Sequence, residues 1–123
     1  MENIELLKHI NRIQQDLIKK GIVVDKVVED LKKLRVFFID EKLPRIVKIV
    51  RLAYEHIEKN KTFNIAIPED EGNDSEVQLS VDELRVESLN YLLSLLQKPT
   101  QKLNAEDLDY YMNSFINYTK NHQ

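Results

Sequence analysis

The sequence predicts an all-α fold, a five-helix antiparallel bundle, from three observations. The 123 residues include only two glycines and three prolines, fewer than the tight turns of an all-β protein require. Apolar residues recur at spacings of three and four along five segments, which is the period of an amphipathic helix. Signals that start or end a helix stand at the boundaries of these segments. A chain of this length corresponds to one domain, so we expect residues 1–123 to form a single bundle.

The first three helices have recognisable ends. Their predicted ranges are 3–20, 26–41 and 44–60. Gly21 is suited to end the first helix, because glycine adopts the left-handed conformation of a C-terminal cap. Asp25 is the predicted N-cap of the second helix. Pro44 suits the first position of the third helix, where its missing N–H costs nothing.

The last two helices are predicted to start with the same device. Their ranges are 81–97 and 105–120. Ser80 and Glu83 fit the S-x-x-E capping box, and Leu79 supplies a hydrophobic staple. Asn104 is the predicted N-cap of the fifth helix, with Leu103 as its staple residue. The acidic connector between the two groups of helices covers residues 61–79.

Charge is distributed unevenly along the chain. Residues 62–84 carry no Lys or Arg and a net charge of −7, whereas residues 1–61 carry +4 and residues 85–123 are neutral. No segment is basic enough to indicate nucleic-acid binding, so we do not expect a nucleic-acid partner. No apolar run approaches the roughly 20 residues of a membrane span, and the N-terminus does not resemble a signal peptide. We therefore expect a cytoplasmic protein with no membrane partner.

The connector begins with an amphipathic stretch. Phe63, Ile65 and Ile67 alternate with small or polar residues, which is typical of an extended strand with one apolar face. Val77 and Leu79 repeat the alternation beyond the acids, so residues 62–80 are predicted to form an extended arm or a small β-hairpin. Its apolar face must be buried, either over one end of the bundle or against another chain. Phe63, Ile65 and Ile67 are therefore candidate interface residues.

The acids of the connector do not form a calcium loop. An EF-hand places its glycine at position 6 of 12. With Gly72 there, Ile67 and Gln78 occupy positions 1 and 12, and neither is acidic. The chain also lacks cysteine, a Gly-rich phosphate loop and the Glu-x-x-His pattern of di-iron bundles. We therefore predict neither a metal nor a cofactor.

The end of the second helix, VFFI at residues 36–39, is apolar on every side. Phe38 continues the apolar stripe, whereas Val36 and Phe37 lie outside it at about 100° per residue. Such a helix end is either covered on several sides, here by helix 3 or the connector, or it contacts a partner. Val36 and Phe37 are candidate interface residues of a homodimer.

Arg85 lies within the apolar arc of the fourth helix. A cation there must reach solvent or find an acid. Three interpretations remain open: a structural ion pair, a first helical turn that extends beyond the core, and an anion or small-ligand site with Tyr91 at its edge.

Arg51 and His56 in RLAYEH are the candidate catalytic residues of an alternative function. The Arg-x4-His spacing resembles the motif of HEPN-type ribonucleases, which are small all-α domains that act as dimers. That resemblance implies RNA cleavage by these two residues. On a straight helix they point roughly 140° apart, and they would meet only at a break or across a dimer axis. The alternative is a structural pair between Arg51 and Glu55 with a solvated His56.

The sequence thus favours a non-enzymatic interaction or oligomerisation module. We expect a homodimer and an unidentified protein partner, with no assembled catalytic residues. The alternative is a HEPN-like ribonuclease or nucleotide-binding domain that uses Arg51 and His56.

Overall fold

The computed structural model describes residues 3–68 and 80–121, and this part of the chain contains five α-helices and no strand. The helices are α1 (Ile4–Lys20), α2 (Val24–Asp40), α3 (Pro44–Asn60), α4 (Val81–Leu96) and α5 (Lys102–Asn121). The all-α fold predicted from the sequence is confirmed. Within these ranges no helix is both long enough and apolar enough to cross a bilayer.

The five helices close a ring. The packed pairs are α1 with α2, α2 with α3, α3 with α5, α5 with α4, and α4 with α1. The pairs joined by short connections, α1 with α2, α2 with α3 and α4 with α5, run antiparallel, as such connections favour. By contrast, α3 and α5 lie side by side in the same direction: Arg45 in the first turn of α3 contacts Asp109 in the first half of α5, and His56 contacts Tyr118 near the end of both helices.

One hydrophobic core fills the ring, and all five helices contribute to it. Residues 63–67 form the arm, which leaves the end of α3 and inserts two side chains into this core. The largest fully buried side chains are Tyr111, Phe38, Phe63, Phe115, Ile10, Ile13, Leu17, Leu31, Leu34, Ile49, Ile57 and Leu89.

Three predicted helix ends are confirmed. Gly21 ends α1 with a φ of 72°, and its N–H donates to the carbonyl of Leu17. Pro44 occupies the first turn of α3. Ser80 and Glu83 make both hydrogen bonds of the capping box at the start of α4. Leu79, the predicted staple residue, and residues 69–79 of the predicted hairpin lie outside the described residues.

The predicted start of α2 is wrong by two residues. The helix begins at Val24, with Val23 as a cap that makes no side-chain hydrogen bond. Val24 packs against the core, which draws the additional residues into the helix. Asp25 lies in the first turn instead, where its carboxylate still interacts favourably with the helix dipole.

The predicted start of α5 is also wrong. The helix begins at Lys102, and Leu103 is 89% exposed, so no hydrophobic staple forms. The side-chain amide of Asn104 donates to the carbonyls of Leu95 and Lys98, at 3.4 and 3.0 Å. Asn104 therefore binds one carbonyl in the last turn of α4 and one in the connection after it, rather than capping α5, because an amide can donate as well as accept.

Candidate functional site

The C-terminal half of α2 presents apolar side chains to solvent. Val36 and Ile39 are 54% and 47% exposed, and side chains three residues apart are neighbours on a helix. Phe37 is half-buried on another side of α2, with its ring centroid 5.6 Å from that of His9. Phe37 is therefore covered in part by α1, a helix that the sequence pattern did not predict there, in place of the expected helix 3 or connector.

Opposite charges flank the two exposed apolar side chains. Lys33 precedes Val36 by about one turn, and Asp40 follows it by about one turn. Lys33 pairs with Glu29 at 3.2 Å, but both side chains are more than half exposed, and such a pair contributes little to stability. We call Lys33, Val36, Ile39 and Asp40 the α2 face.

The arm places its predicted interface residues inside the molecule. Phe63 and Ile65 are 0% and 6% exposed, and Ile67 is half-buried. The Phe63 ring packs against Tyr111 and Phe115, with centroids 6.4 and 5.8 Å apart. The arm therefore covers its own bundle, one of the two arrangements that the sequence left open. Phe63 and Ile65 offer no exposed side chain to a partner.

His56 holds the arm in place and is not a solvated residue. It is 7% exposed, and its Nε2 accepts the backbone N–H of Asn64 at 2.9 Å. Its ring lies edge-on to Tyr118, with centroids 4.7 Å apart, and the Asn64 side chain donates to the Tyr118 hydroxyl at 3.0 Å. Because a backbone N–H can only donate, Nε2 carries no proton while this bond is present. The interpretation of a solvated His56 fails because the arm folds back over the histidine.

Arg51 and His56 are not brought together in this structure. Arg51 is 42% exposed and lies 3.8 Å from Glu55, as the i,i+4 spacing predicts. His56 faces α5 and the arm instead. A cleft of about 150 Å³ adjoins the histidine, and the described residues that line it are Leu52, Glu55, His56, Lys59, Asn60, Tyr118 and Thr119.

Arg85 and Tyr91 face different parts of the bundle. Arg85 is 35% exposed and pairs at 3.6 Å with Asp82, which is 92% exposed. It borders two clefts, of about 500 and 250 Å³. Tyr91 donates a hydrogen bond to Asp107 of α5. The two residues therefore do not form the single ligand site considered from the sequence.

A buried carboxylate, which the sequence patterns did not predict, lies between α1 and α2. Asp30 is 1% exposed and lies 3.2 Å from Arg12 and 3.0 Å from Lys26. His9 Nδ1 lies 3.1 Å from the Arg12 guanidinium and accepts from it, so Nε2 is the nitrogen that donates to the Asp30 carbonyl. The i,i+4 spacing of Lys26 and Asp30, at the edge of the apolar stripe, was the one sequence feature that could have indicated this ion pair.

A second buried polar pair joins α4 and α5. The Tyr111 hydroxyl donates to the carbonyl of Ser88 at 2.9 Å and lies 3.0 Å from its side-chain oxygen. Both residues are 0% exposed. Burial raises the pKa of Tyr111 well above its usual value, because the interior disfavours the charged phenolate.

Across residues 3–68 and 80–121, no group of three or more His, Cys, Asp or Glu side chains is arranged to hold a metal ion. Comparison with known proteins found no matching family model, no matching curated protein and no matching solved structure.

Proposed function

We propose that this chain is a non-enzymatic protein–protein interaction module that forms a homodimer through the α2 face. The observation that carries the proposal is the pair of exposed apolar side chains, Val36 and Ile39, placed between a cation and an anion. Adjacent apolar side chains on an exposed helix surface favour packing against another protein surface.

The charge pattern of the α2 face is complementary to itself. In a two-fold symmetric contact, residue i of one protomer meets residue j of the other, and the reverse holds as well. Two antiparallel copies of α2 that cross between Val36 and Ile39 place these two side chains against each other. Lys33 then faces Asp40 of the second copy, twice in the same interface. A parallel arrangement would instead juxtapose like charges, which is unfavourable.

The neighbouring helix extends this surface. Tyr54 of α3 is half-buried beside α2, and Lys32 lies over its ring at 5.5 Å. Val47 lies two turns before Tyr54 on the same side of α3 and is also half-buried. A stable dimer buries roughly 1,200–2,000 Å² in total, more than two side chains supply. We therefore expect α3 to form the rim of the interface.

The buried polar groups support a non-enzymatic function. His56 binds the arm, Asp30 ties α1 to α2, and Tyr111 ties α5 to α4. Each of them contributes to the packing of the bundle. A catalytic acid or base needs access to a substrate, and the side chains of Asp30 and Tyr111 are only 1% and 0% exposed.

Light scattering across a concentration series tests the proposal. We expect the wild type to be a dimer and the Val36→Asp, Ile39→Asp double variant to be a folded monomer, because two carboxylates would be buried without partners. Ile18→Asp is the matched control, since Ile18 is 70% exposed on α1 and lies outside the α2 face. A monomeric wild type at high concentration, or a double variant that still dimerises, would contradict the proposal.

The cleft beside His56 favours one alternative, an RNA-cleaving or nucleotide-binding domain. Glu55 and Lys59 line this cleft with the histidine, and Arg51 lies one turn before Glu55. The alternative predicts that single-stranded RNA is cleaved by the wild type and not by Arg51→Ala, which changes a half-exposed side chain. Intact RNA after prolonged incubation with the wild type would exclude cleavage.

A further inference from the structure

We propose a second interaction surface, independent of the α2 face, at which the free edge of the arm binds an extended acidic peptide as an added β-strand. We call this surface the arm edge. It consists of the backbone of Ile65 and Ile67 and the side chains of Val81, Leu84 and Arg85.

The hydrogen bonds of the arm define two edges. Phe63 and Ile65 are buried whereas Ala66 is exposed, which is the alternation of an extended chain. In such a chain the backbone groups of successive residues also point to opposite sides. The Asn64 N–H donates to His56, and the Ala66 carbonyl accepts from the hydroxyl of Tyr110 at 2.6 Å. The even-numbered residues therefore bind α3 and α5, and the odd-numbered residues present their backbone groups on the other side.

The backbone groups of the odd-numbered arm residues Ile65 and Ile67 have no hydrogen-bond partner among the described residues. Ile65 and Ile67 both line the cleft that borders the arm, so an added strand can approach this side. An added strand supplies N–H and C=O groups at the spacing that this edge requires.

The side chains beside this edge indicate what kind of strand fits. A cleft of about 250 Å³ borders the arm, and Val81, Leu84 and Arg85 of α4 line its far side. Val81 and Leu84 are 62% and 47% exposed, so alternate apolar side chains of an added strand would find apolar contacts there. Arg85 is only weakly paired with the exposed Asp82, and it can therefore bind a carboxylate of the peptide.

The charge of Arg85 argues against a second arm as the added strand. The arm of another copy, FNIAI, contains no acidic residue and would add no carboxylate to the exposed Asp82 that Arg85 already contacts. We therefore assign the arm edge to an extended peptide with alternating apolar side chains and at least one carboxylate.

Amide hydrogen exchange of the full chain with a defined peptide tests this assignment. The probe is the acetylated hexapeptide Glu-Val-Gln-Val-Glu-Val. We expect it to slow exchange at Ile65 and Ile67 by roughly tenfold or more, as a new hydrogen bond requires. Exchange at Asn64, which is already bonded to His56, should change little. Unchanged exchange at Ile65 and Ile67 at saturating peptide would overturn the proposal.

Three variants make the test specific. Ile67→Pro removes one edge donor and should abolish binding, and Arg85→Gln should weaken binding roughly fivefold or more by removing a charge-assisted hydrogen bond. The Val36→Asp, Ile39→Asp variant should bind the peptide normally, so failure of the dimer proposal is distinguishable from failure of this one. Full affinity in Ile67→Pro would overturn the proposal.

The chain's own connector is the main competitor for the edge. Residues 76–79, EVQL, also combine a carboxylate with alternating apolar side chains. If the peptide binds only after Val77 and Leu79 are both replaced by Ser, the connector occupies the edge and the proposal is wrong. Equal binding by this variant and the wild type supports it.

Discussion

His56 joins the arm to α3 through its Nε2 and joins α3 to α5 through its ring. Replacing it by Ala should lower the free energy of unfolding by about 2–4 kcal/mol, because a buried donor loses its acceptor and a cavity opens among aromatic rings. Urea unfolding followed by circular dichroism measures this loss.

Tyr118→Phe is the matched comparison for His56→Ala. It keeps the ring against His56 and removes only the hydroxyl that accepts from Asn64. We expect a smaller loss, about 0.5–1.5 kcal/mol. If His56→Ala lowers the free energy of unfolding by less than Tyr118→Phe does, His56 does not hold the arm in place.

Tyr111 should make the fold sensitive to alkali. An unfolded tyrosine loses its proton near pH 10.0, whereas burial raises the pKa of the folded Tyr111 above that value. Above pH 10 the folded state therefore binds more protons than the unfolded state, and the free energy of unfolding falls as pH rises, by up to about 1.4 kcal/mol per pH unit.

Urea unfolding between pH 9 and pH 11 tests this dependence. In Tyr111→Phe the slope should be shallower than in the wild type. The loss of the hydrogen bond to Ser88 lowers stability at neutral pH as well, so the comparison rests on slopes and not on absolute values. Equal slopes would show that Tyr111 does not hold its proton in this way.

The helix ends show what local patterns can predict. The capping box of α4 involves residues three apart, and the structure contains both of its hydrogen bonds. Asn104 has the same local pattern, yet its amide reaches back to α4, because the connection between α4 and α5 brings those carbonyls within range. The prediction of a solvated His56 was wrong for a similar reason. The histidine accepts a hydrogen bond from Asn64 of the arm, which lies eight residues later in the chain.

Asn104→Asp distinguishes the two roles of Asn104. A carboxylate would be a good N-cap, but it cannot donate to the carbonyls of Leu95 and Lys98 and would repel them. We therefore expect Asn104→Asp to lower the free energy of unfolding by about 1–2 kcal/mol. Ser80→Ala, which removes an observed cap, should cost about 1 kcal/mol and serves as the reference. A neutral or stabilising Asn104→Asp would restore the capping interpretation.

The order of the helices around the ring was beyond the reach of the sequence patterns. Periodicity shows which side of a helix is apolar, but not which helix covers it. The connector at residues 61–79 is long enough to allow α4 several neighbours, and the structure places α4 against α1 and α5. The parallel pair α3 and α5, which encloses His56, follows from that placement.

The arrangement of the helices also determines which of the predicted apolar surfaces are buried and which remain exposed. The sequence identified both the arm and the VFFI segment as apolar groups that need cover. In the bundle, Phe63 and Ile65 find cover within the chain, whereas Val36 remains 54% exposed. Exposed Ile39, flanked by Lys33 and Asp40, completes the surface on which we base self-association.

A charge-exchange cycle measured by sedimentation equilibrium tests that self-association most directly. Lys33→Glu and Asp40→Lys should each weaken the dimer roughly tenfold, because each places like charges opposite one another. The double variant should recover most of the lost affinity, since exchanging the two charges restores both pairs across the two-fold axis. Additive losses in the double variant, or dissociation constants that neither single variant changes, would contradict dimerisation through the α2 face.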